Sequence, residues 1–255
     1  MLKGKKGVIF GVANRHSLAW HIAKEAYAHG AELILGVANE RFREKVAPLA
    51  AEVGAPEPVI CDVTSDESIL STFHVIKDRM PELDFMVHAI AFANRQDLEG
   101  RFIDTDRYGY HVAQDVSAFS LAAMSREAEK MMKPGSSILT LTYIGSVRAV
   151  PNYNVMGVAK AALESSVRYL ATDLGSEGIR VNALSAGPIK TLSSSGVKGL
   201  RDKLDQQAVK NPLHRNITGE DVGKSAVFLL SDYSSGVTGE VLYVDNGYHS
   251  CATWA

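Results

Sequence analysis

Two hydrophobic patterns alternate along the chain. Short, almost continuously apolar runs, such as "KGVIFG" (6–11) and "AELILGV" (31–37), are separated by longer stretches with apolar residues at helical spacing. A strand that is apolar at nearly every position is buried on both faces, as in a parallel sheet covered by helices. The pattern predicts strands over 6–11, 31–37, 57–63, 84–92, 136–143, 179–188 and 239–247. It predicts helices over 17–30, 40–54, 65–80, within 105–132, over a stretch that holds 152–160 and runs to about 174, and over 218–231. Gly30 is placed to end the first helix, and Pro48 is a candidate early break in the second. Thr218, three residues before Asp221, reads as a capping box. Repeated βα units without an internal linker, repeat or low-complexity tract predict one doubly wound α/β domain over residues 1–255, with seven parallel strands and helices on both faces.

Composition narrows the function without naming it. A chain of 255 residues with 46% hydrophobic and 22% charged residues suits a single globular domain. The net charge of −2 and the lack of a dense basic run argue against nucleic acid as a partner. No apolar run approaches the roughly 20 residues of a membrane span. The basic-then-apolar N-terminus stops at Asn14-Arg15-His16 and reads as a first strand rather than a signal peptide. Cys61 and Cys251 share no metal-ligand spacing and form no disulfide framework, so no metal is expected and the cytoplasm is the expected compartment.

In such a sheet, ligands bind at the carboxyl ends of the strands. The loop after the first strand, "GVANRHSLAW" (11–20), has small residues at Gly11, Ala13 and Ser17. It lacks G-x-G-x-x-G, so it fits a nucleotide loop or an ordinary strand–helix turn. The second strand ends at Ala38 with no acidic residue at its tip. Arg15, Arg41 and Arg43 either meet a ribose 2′-phosphate or stay solvated. Asp62, closing the third strand, reads equally as a partner for the adenine amine or as the cap of the following helix. His88 reads as a hydrogen-bonded residue at a strand end.

The sharpest feature is "NYNVMGVAK" (152–160). Seven residues are almost two helical turns, so Tyr153 and Lys160 face the same way, about 10 Å apart along the axis. A second tyrosine, Tyr143, lies ten residues upstream. A small-residue loop after the first strand, an aspartate after the third and a Tyr/Lys pair after the fifth together resemble the short-chain dehydrogenase/reductase superfamily. Its usual Y-x3-K is here Y-x6-K. That variant resembles one branch, the bacterial NAD(P)H-dependent enoyl-acyl-carrier-protein reductases of fatty-acid synthesis. "HAIAFAN" (88–94), "LTYIGS" (141–146), "VPNYNVMGVAKAALE" (150–164), "IRVNALSAGPIKTLSSSG" (179–196) and "GEVLYVDNGYH" (239–249) resemble that family's segments in order, over almost the whole chain.

The resemblance implies reduction of the 2,3 double bond of trans-2-enoyl thioesters on acyl carrier protein. It implies Tyr153, Lys160 and Tyr143 as the catalytic group. It implies cofactor contacts from Gly11, Ser17, Leu18, Ala38, Asp62, Val63, Ile90, Lys160, Ile189, Lys190, Thr191, Leu192 and Ser193, with Ala13 in the same loop. Ala93, Phe92 and Met156 would line the acyl group. NADH is expected over NADPH, since Ala38 and Asn39 offer no basic side chain. The chain departs from many members in having Ala89-Ile90-Ala91 where they have Ser-Ile-Gly. The stripe Val197, Leu200, Leu204 and Ala208 fits a surface helix, or, by the resemblance, a substrate lid over about 191–210. Lys198, Arg201 and Lys203 on that segment are expected to dock the acidic carrier protein. A homotetramer is implied by the resemblance alone. Two other readings stand beside it: a carbonyl reductase of the same superfamily, disfavoured by Tyr143 and the Y-x6-K spacing, and a non-catalytic redox sensor, disfavoured by the intact Tyr/Lys pair.

Overall fold

Successive residues of each strand enter different cores. Val8 and Phe10 pack on one side of the sheet with Ile34, Met86, Ile138 and Val181. Ile9 packs on the other with Leu33, Leu35, Val87, Leu139 and Leu184. A strand has a side-chain period of two, so a run apolar at every position needs cover on both faces. The computed structural model describes residues 1–189 and 208–251. Within them lie β1 (Lys6–Phe10), β2 (Glu32–Val37), β3 (Val59–Ile60), β4 (Leu83–His88), β5 (Met132–Thr142), β6 (Arg180–Ala186) and β7 (Val241–Val244). They form one seven-stranded sheet in the order β3-β2-β1-β4-β5-β6-β7, and every neighbouring pair is parallel. The strand order reverses between β1 and β4, which puts a crevice at their carboxyl ends.

The helices are α1 (Leu18–Ala28), α2 (Glu40–Glu52), α3 (Asp66–Arg79), the short α4 (Arg95–Leu98), α5 (Arg107–Gln114), α6 (Ser120–Glu129), α7 (Asn154–Gly175) and α8 (Gly219–Leu230). A π-helical turn, Asp115–Phe119, joins α5 to α6. Thr218 and Asp221 cap α8 reciprocally, as their spacing predicts. Gly30 follows α1 at φ +90°, a left-handed conformation that suits glycine after a helix end.

Three of the boundaries that differ from the sequence reading have a visible cause. Helix α2 runs through Pro48. Pro48 and Glu44, whose carbonyl loses its partner, are both exposed, so water can take the freed acceptor, while Asn39 caps the start and Val46, Leu49 and Ala50 bury the other face. The third strand shrinks from 57–63 to Val59–Ile60; it lies at the sheet edge and follows Pro58, which has no N–H to give. The fourth strand ends at His88 rather than continuing to residue 92.

Arg180, 7% exposed, holds the C-terminal end of α8 on the sheet. Its Nη1 donates to the Leu229 carbonyl at 2.9 Å and to Ser234 Oγ at 2.8 Å, and its Nη2 donates to the Ser231 carbonyl at 3.1 Å. A cation suits the carbonyl end of a helix. Arg180→Met leaves three buried acceptors short of a charged donor. The expected cost is about 3 kcal/mol, which lowers the urea midpoint by about 1 M at an m-value of about 3 kcal/mol/M. An unmoved midpoint would show that the acceptors find other donors.

Candidate active site

The crevice is built from backbone approaches that only small residues permit. Gly11 ends β1 at φ +97°, and a Cβ there would overlap the Ala89 carbonyl. Any side chain at 11 would therefore push away the loop that follows β4. Ala89 N in turn donates to the Phe10 carbonyl at 3.2 Å, so the first residue after β4 is pinned to β1. Ser17 organises the β1–α1 loop from behind, its Oγ accepting from Ala13 N at 3.0 Å and Asn14 N at 3.1 Å. The first turn of α1 then opens at the carboxyl edge, where helix N–H groups suit a phosphate. Leu18, Ile90 and Ile189 are half-buried along this edge, and Val63 is buried.

The tips of β2 and β3 settle part of what the sequence left open. Ala38 is exposed. Arg15 pairs with Glu52, and Arg43 pairs with Glu40 at 2.7 Å and Glu57 at 3.5 Å. Asp62 does not cap α3; Ser65 does, accepting from Ser68 N at 3.2 Å. The exposed Asp62 carboxylate instead accepts from Thr64 N and Thr64 Oγ1 at 3.0 and 2.7 Å.

The loop after β4 is held on its far side by the π turn. Ser117 Oγ accepts from Phe92 N at 2.9 Å and donates to the Phe92 carbonyl at 3.0 Å. The Phe92 ring itself is 52% exposed, whereas Met156 is buried and Ala93 is half-buried. His88 is fully buried, with Nδ1 3.0 Å from Thr140 Oγ1 and Nε2 2.8 Å from Ser120 Oγ. It is a hydrogen-bonded strand-end histidine, as its sequence context indicates. Burial, reinforced by the Lys160 charge, pushes its pKa down to about 3.

Tyr153 stands at the N-cap of α7, one residue before the helix that the sequence reading placed it in. Asn152 and Asn154 flank it at φ 61° and 35°, conformations asparagine tolerates better than most residues. The chain can turn this tightly because Gly145 and Gly157 face each other. A Cβ at Gly157 would lie 2.8 Å from the Gly145 carbonyl oxygen, and one at Gly145 would lie 2.6 Å from Cδ1 of Tyr153. The turn brings Tyr153 edge-on to Tyr143, with ring centroids 4.9 Å apart and planes at 69°. Burial raises both phenol pKa values, that of Tyr143 to about 12.

Lys160 lies on the buried face of α7, 6% exposed, and burial pulls its pKa down to about 8, partly offset by Glu164. Among the described residues its ammonium has one hydrogen-bond acceptor, the Leu141 carbonyl at 2.8 Å. Two N–H donors are left for a ligand. That donor set, with small residues at the β1 loop and an exposed carboxylate at the β3 tip, fits a dinucleotide. The structure thus gathers Gly11, Ala13, Ser17, Leu18, Ile90, Ala93, Tyr143, Tyr153 and Lys160 on elements meeting at one edge. Lys190, Thr191, Leu192 and Ser193, the basic trio Lys198, Arg201 and Lys203, and nearly all of the expected lid lie outside the described residues. Among the described residues, no group of three or more His, Cys, Asp or Glu is placed to hold a metal ion. Sequence reasoning missed Ser117, Thr142, Glu164 and the C-terminal turn, where Arg148 Nη2 donates to the His249 carbonyl at 2.7 Å. Only Glu164 carries a legible signal: it lies four residues after Lys160 on the same helix face.

Comparison with known proteins gives a consistent result. The model of a family described as Enoyl-(Acyl carrier protein) reductase matches residues 11–249. The enoyl-[acyl-carrier-protein] reductase [NADH] FabI of Bacillus cereus is 52% identical over 251 residues, covering 98% of both chains. A crystal structure of the Bacillus cereus enoyl-acyl carrier protein reductase with NADP+ and indole naphthyridinone aligns with a TM-score of 0.96 at 52% identity, covering 99% of both chains. The Anaplasma phagocytophilum reductase in complex with NAD aligns with a TM-score of 0.95 at 48% identity, covering 100% of this chain and 97% of that one. On the family match and on these identities, this chain belongs to the enoyl-acyl-carrier-protein reductases of the short-chain dehydrogenase/reductase superfamily.

Proposed function

We propose that this chain reduces the 2,3 double bond of trans-2-enoyl thioesters carried on acyl carrier protein, the last reductive step of fatty-acid elongation, with NADH as the reductant. The observation that carries the reading is the Tyr143–Tyr153 ring pair, formed just after β5 and just before α7, the two elements that also hold the buried Lys160. Bound NADH supplies a hydride for the β-carbon of the substrate. Gly11, Ala13, Ser17, Leu18, Ala38, Asp62, Val63, Ile90, Lys160 and residues 189–193 would hold it, with Lys160 on the nicotinamide ribose hydroxyls.

Negative charge develops on the thioester oxygen as the β-carbon is reduced. A donor aimed at that oxygen lowers the barrier more than it tightens substrate binding. Tyr153 fills this role as a neutral phenol. Its raised pKa keeps the hydroxyl proton in place at neutral pH, so it donates a hydrogen bond without first ionising. Tyr143 packs edge-on against its ring and restricts its position. The longer Tyr–Lys spacing suits an enoyl substrate: the carbon that accepts hydride lies two atoms from the carbon bearing the oxygen. A phenol set for a ketone would miss that oxygen. Ala93, Phe92 and Met156 line the acyl chain.

The proposed single domain spans 1–255, and Lys198, Arg201 and Lys203, which lie outside the described residues, would meet the carrier protein. The working assembly is a homotetramer in the cytoplasm. Exposed Tyr108, Phe119 and Tyr169 on the outer α5–α7 face support self-association, and among the described residues no helix is long and apolar enough to cross a membrane.

The direct test is oxidation of NADH and NADPH in the presence of a 2-enoyl thioester and, separately, a ketone. Turnover of the enoyl thioester with NADH is expected; turnover of the ketone alone would favour a carbonyl reductase. Tyr153→Phe is expected to lower kcat by roughly 10²–10⁴-fold while leaving the NADH dissociation constant unchanged. Tyr143→Phe keeps the ring packed on Tyr153 and is expected to leave kcat nearly unchanged, whereas Tyr143→Ala removes a ring pair worth about 1 kcal/mol and is expected to lower kcat by roughly tenfold. Lys160 acts as an ammonium, and its pKa sits near 8. NADH affinity is therefore expected to hold below that pH and to fall about tenfold per unit above it, read by titrating nicotinamide fluorescence across the range.

A further inference from the structure

One buried charge in this region has no part in the chemistry above. Glu164 is 6% exposed and lies one helical turn beyond Lys160 on α7. Its Oε1 accepts from Thr142 Oγ1 at 2.6 Å. Thr142 directly follows Leu141, whose carbonyl takes the lysine. Two adjacent residues at the end of β5 therefore hold a buried cation and a buried anion apart from each other.

The surroundings of the two charges can be named element by element. His88 faces Lys160 from β4; its low pKa leaves it neutral, so it adds no repelling positive charge. The Leu141 carbonyl faces Lys160 from β5. Tyr153, before α7, and Tyr243, on β7, both feel the Glu164 carboxylate, and both are phenols with raised pKa values. Among the described residues Glu164 is the one carboxylate that acts on Lys160.

A lysine buried without compensation sheds its proton, because burial disfavours the charged form. A direct ion pair would restore the charge but would occupy donors that a ligand needs. A carboxylate held nearby by a hydroxyl keeps the charge and leaves the donors free. We propose that Glu164 is a positioning residue, a buried counter-charge that keeps Lys160 protonated and, through Thr142, clamps the end of β5 to α7, so that the ammonium meets the cofactor with two N–H donors unspent. This rests on the reading of Lys160 as the cofactor-binding cation.

The experiment compares the parent, Glu164→Gln and Lys160→Met as full chains. Two quantities are followed against pH: the NADH dissociation constant, and the melting temperature of the ligand-free protein. The second reads Lys160 without cofactor. A folded-state pKa below the ordinary 10.5 means that the folded chain releases a proton the unfolded chain keeps, so stability rises with pH between the two values. Glu164→Gln keeps an oxygen for the Thr142 hydroxyl and loses the charge. It is expected to move the pH midpoint of NADH affinity down by at least about one unit, and to start the rise in melting temperature lower by the same amount. Profiles superimposable on the parent's, while Lys160→Met abolishes both pH effects, would overturn the role of Glu164 and leave that of Lys160 standing. Parental NADH affinity and pH dependence in Lys160→Met would overturn the reading of Lys160 itself, and the proposal with it. If Glu164→Gln does not fold, Glu164→Asp withdraws the charge by one methylene. A smaller downward shift then supports the proposal, and an unmoved midpoint overturns it.

Discussion

A cation buried at the edge of a sheet needs a fixed acceptor, and the bond from Lys160 Nζ to the Leu141 carbonyl is the contact on which the architecture of this edge turns. It couples α7 to the last turn of β5. Once α7 is docked there, the eleven residues between Thr142 and Asn154 have little room. They pass through the short Ile144–Ser146 turn and the left-handed Asn152, and Asn154, also left-handed, opens α7. Gly145 and Gly157 let the backbones close, and the two tyrosine rings meet edge-on. The strained asparagines persist because packing on both sides of the turn over-determines it. Tyr153 inherits its position from that closure rather than from helix periodicity.

A second coupling sets the loop across the crevice. Residues 89–92 are held at one end by β1, through Gly11 and Ala89, and at the other by Ser117. A π turn carries one residue more than an α turn of the same register, so it re-aims side chains relative to the helix on either side. That is how Ser117 satisfies both backbone groups of Phe92 while Ser120, three residues on, reaches His88. His88, Thr140 and Ser120 then tie β4, β5 and α6 together beneath the loop. The polar core under this edge is hydrogen-bonded throughout these contacts, which is what low-dielectric surroundings demand.

The parallel sheet was legible because its cause is local: apolar residues at every strand position need two covering layers. Boundaries were less legible where a distant contact decides them. "AIAF" is apolar throughout and looks like strand, yet the ladder ends at His88, and the next residues form a loop that lies against Gly11 and is held by Ser117. Pro48 looks like a break, yet the carbonyl it frees belongs to the exposed Glu44, and the helix continues. In the site, Tyr153 and Lys160 stood out by chemistry and spacing. Glu164 did not, because a glutamate on a helix reads as a solvated residue until the fold buries it. Ser117 had no signal, since nothing in "DVSAF" marks a π turn.

The β2 tip carries a similar lesson about charge. Arg15, Arg41 and Arg43 look like a basic cluster for a ribose 2′-phosphate. Two of them are already paired with carboxylates: Arg15 with Glu52, and Arg43 with Glu40 and Glu57. These pairs are substantially exposed, so each contributes little to stability and resists exchange weakly. At Arg15 or Arg43 a phosphate would have to displace a carboxylate, while a 2′-hydroxyl would disturb neither pair; the exposed Arg41 is the third guanidinium at this tip. A preference for NADH at this tip would therefore come from the two guanidinium groups already neutralised by carboxylates, not from an acidic residue gripping the ribose. Selection of that kind is graded rather than absolute, because the competing pairs are ones that water and salt already loosen.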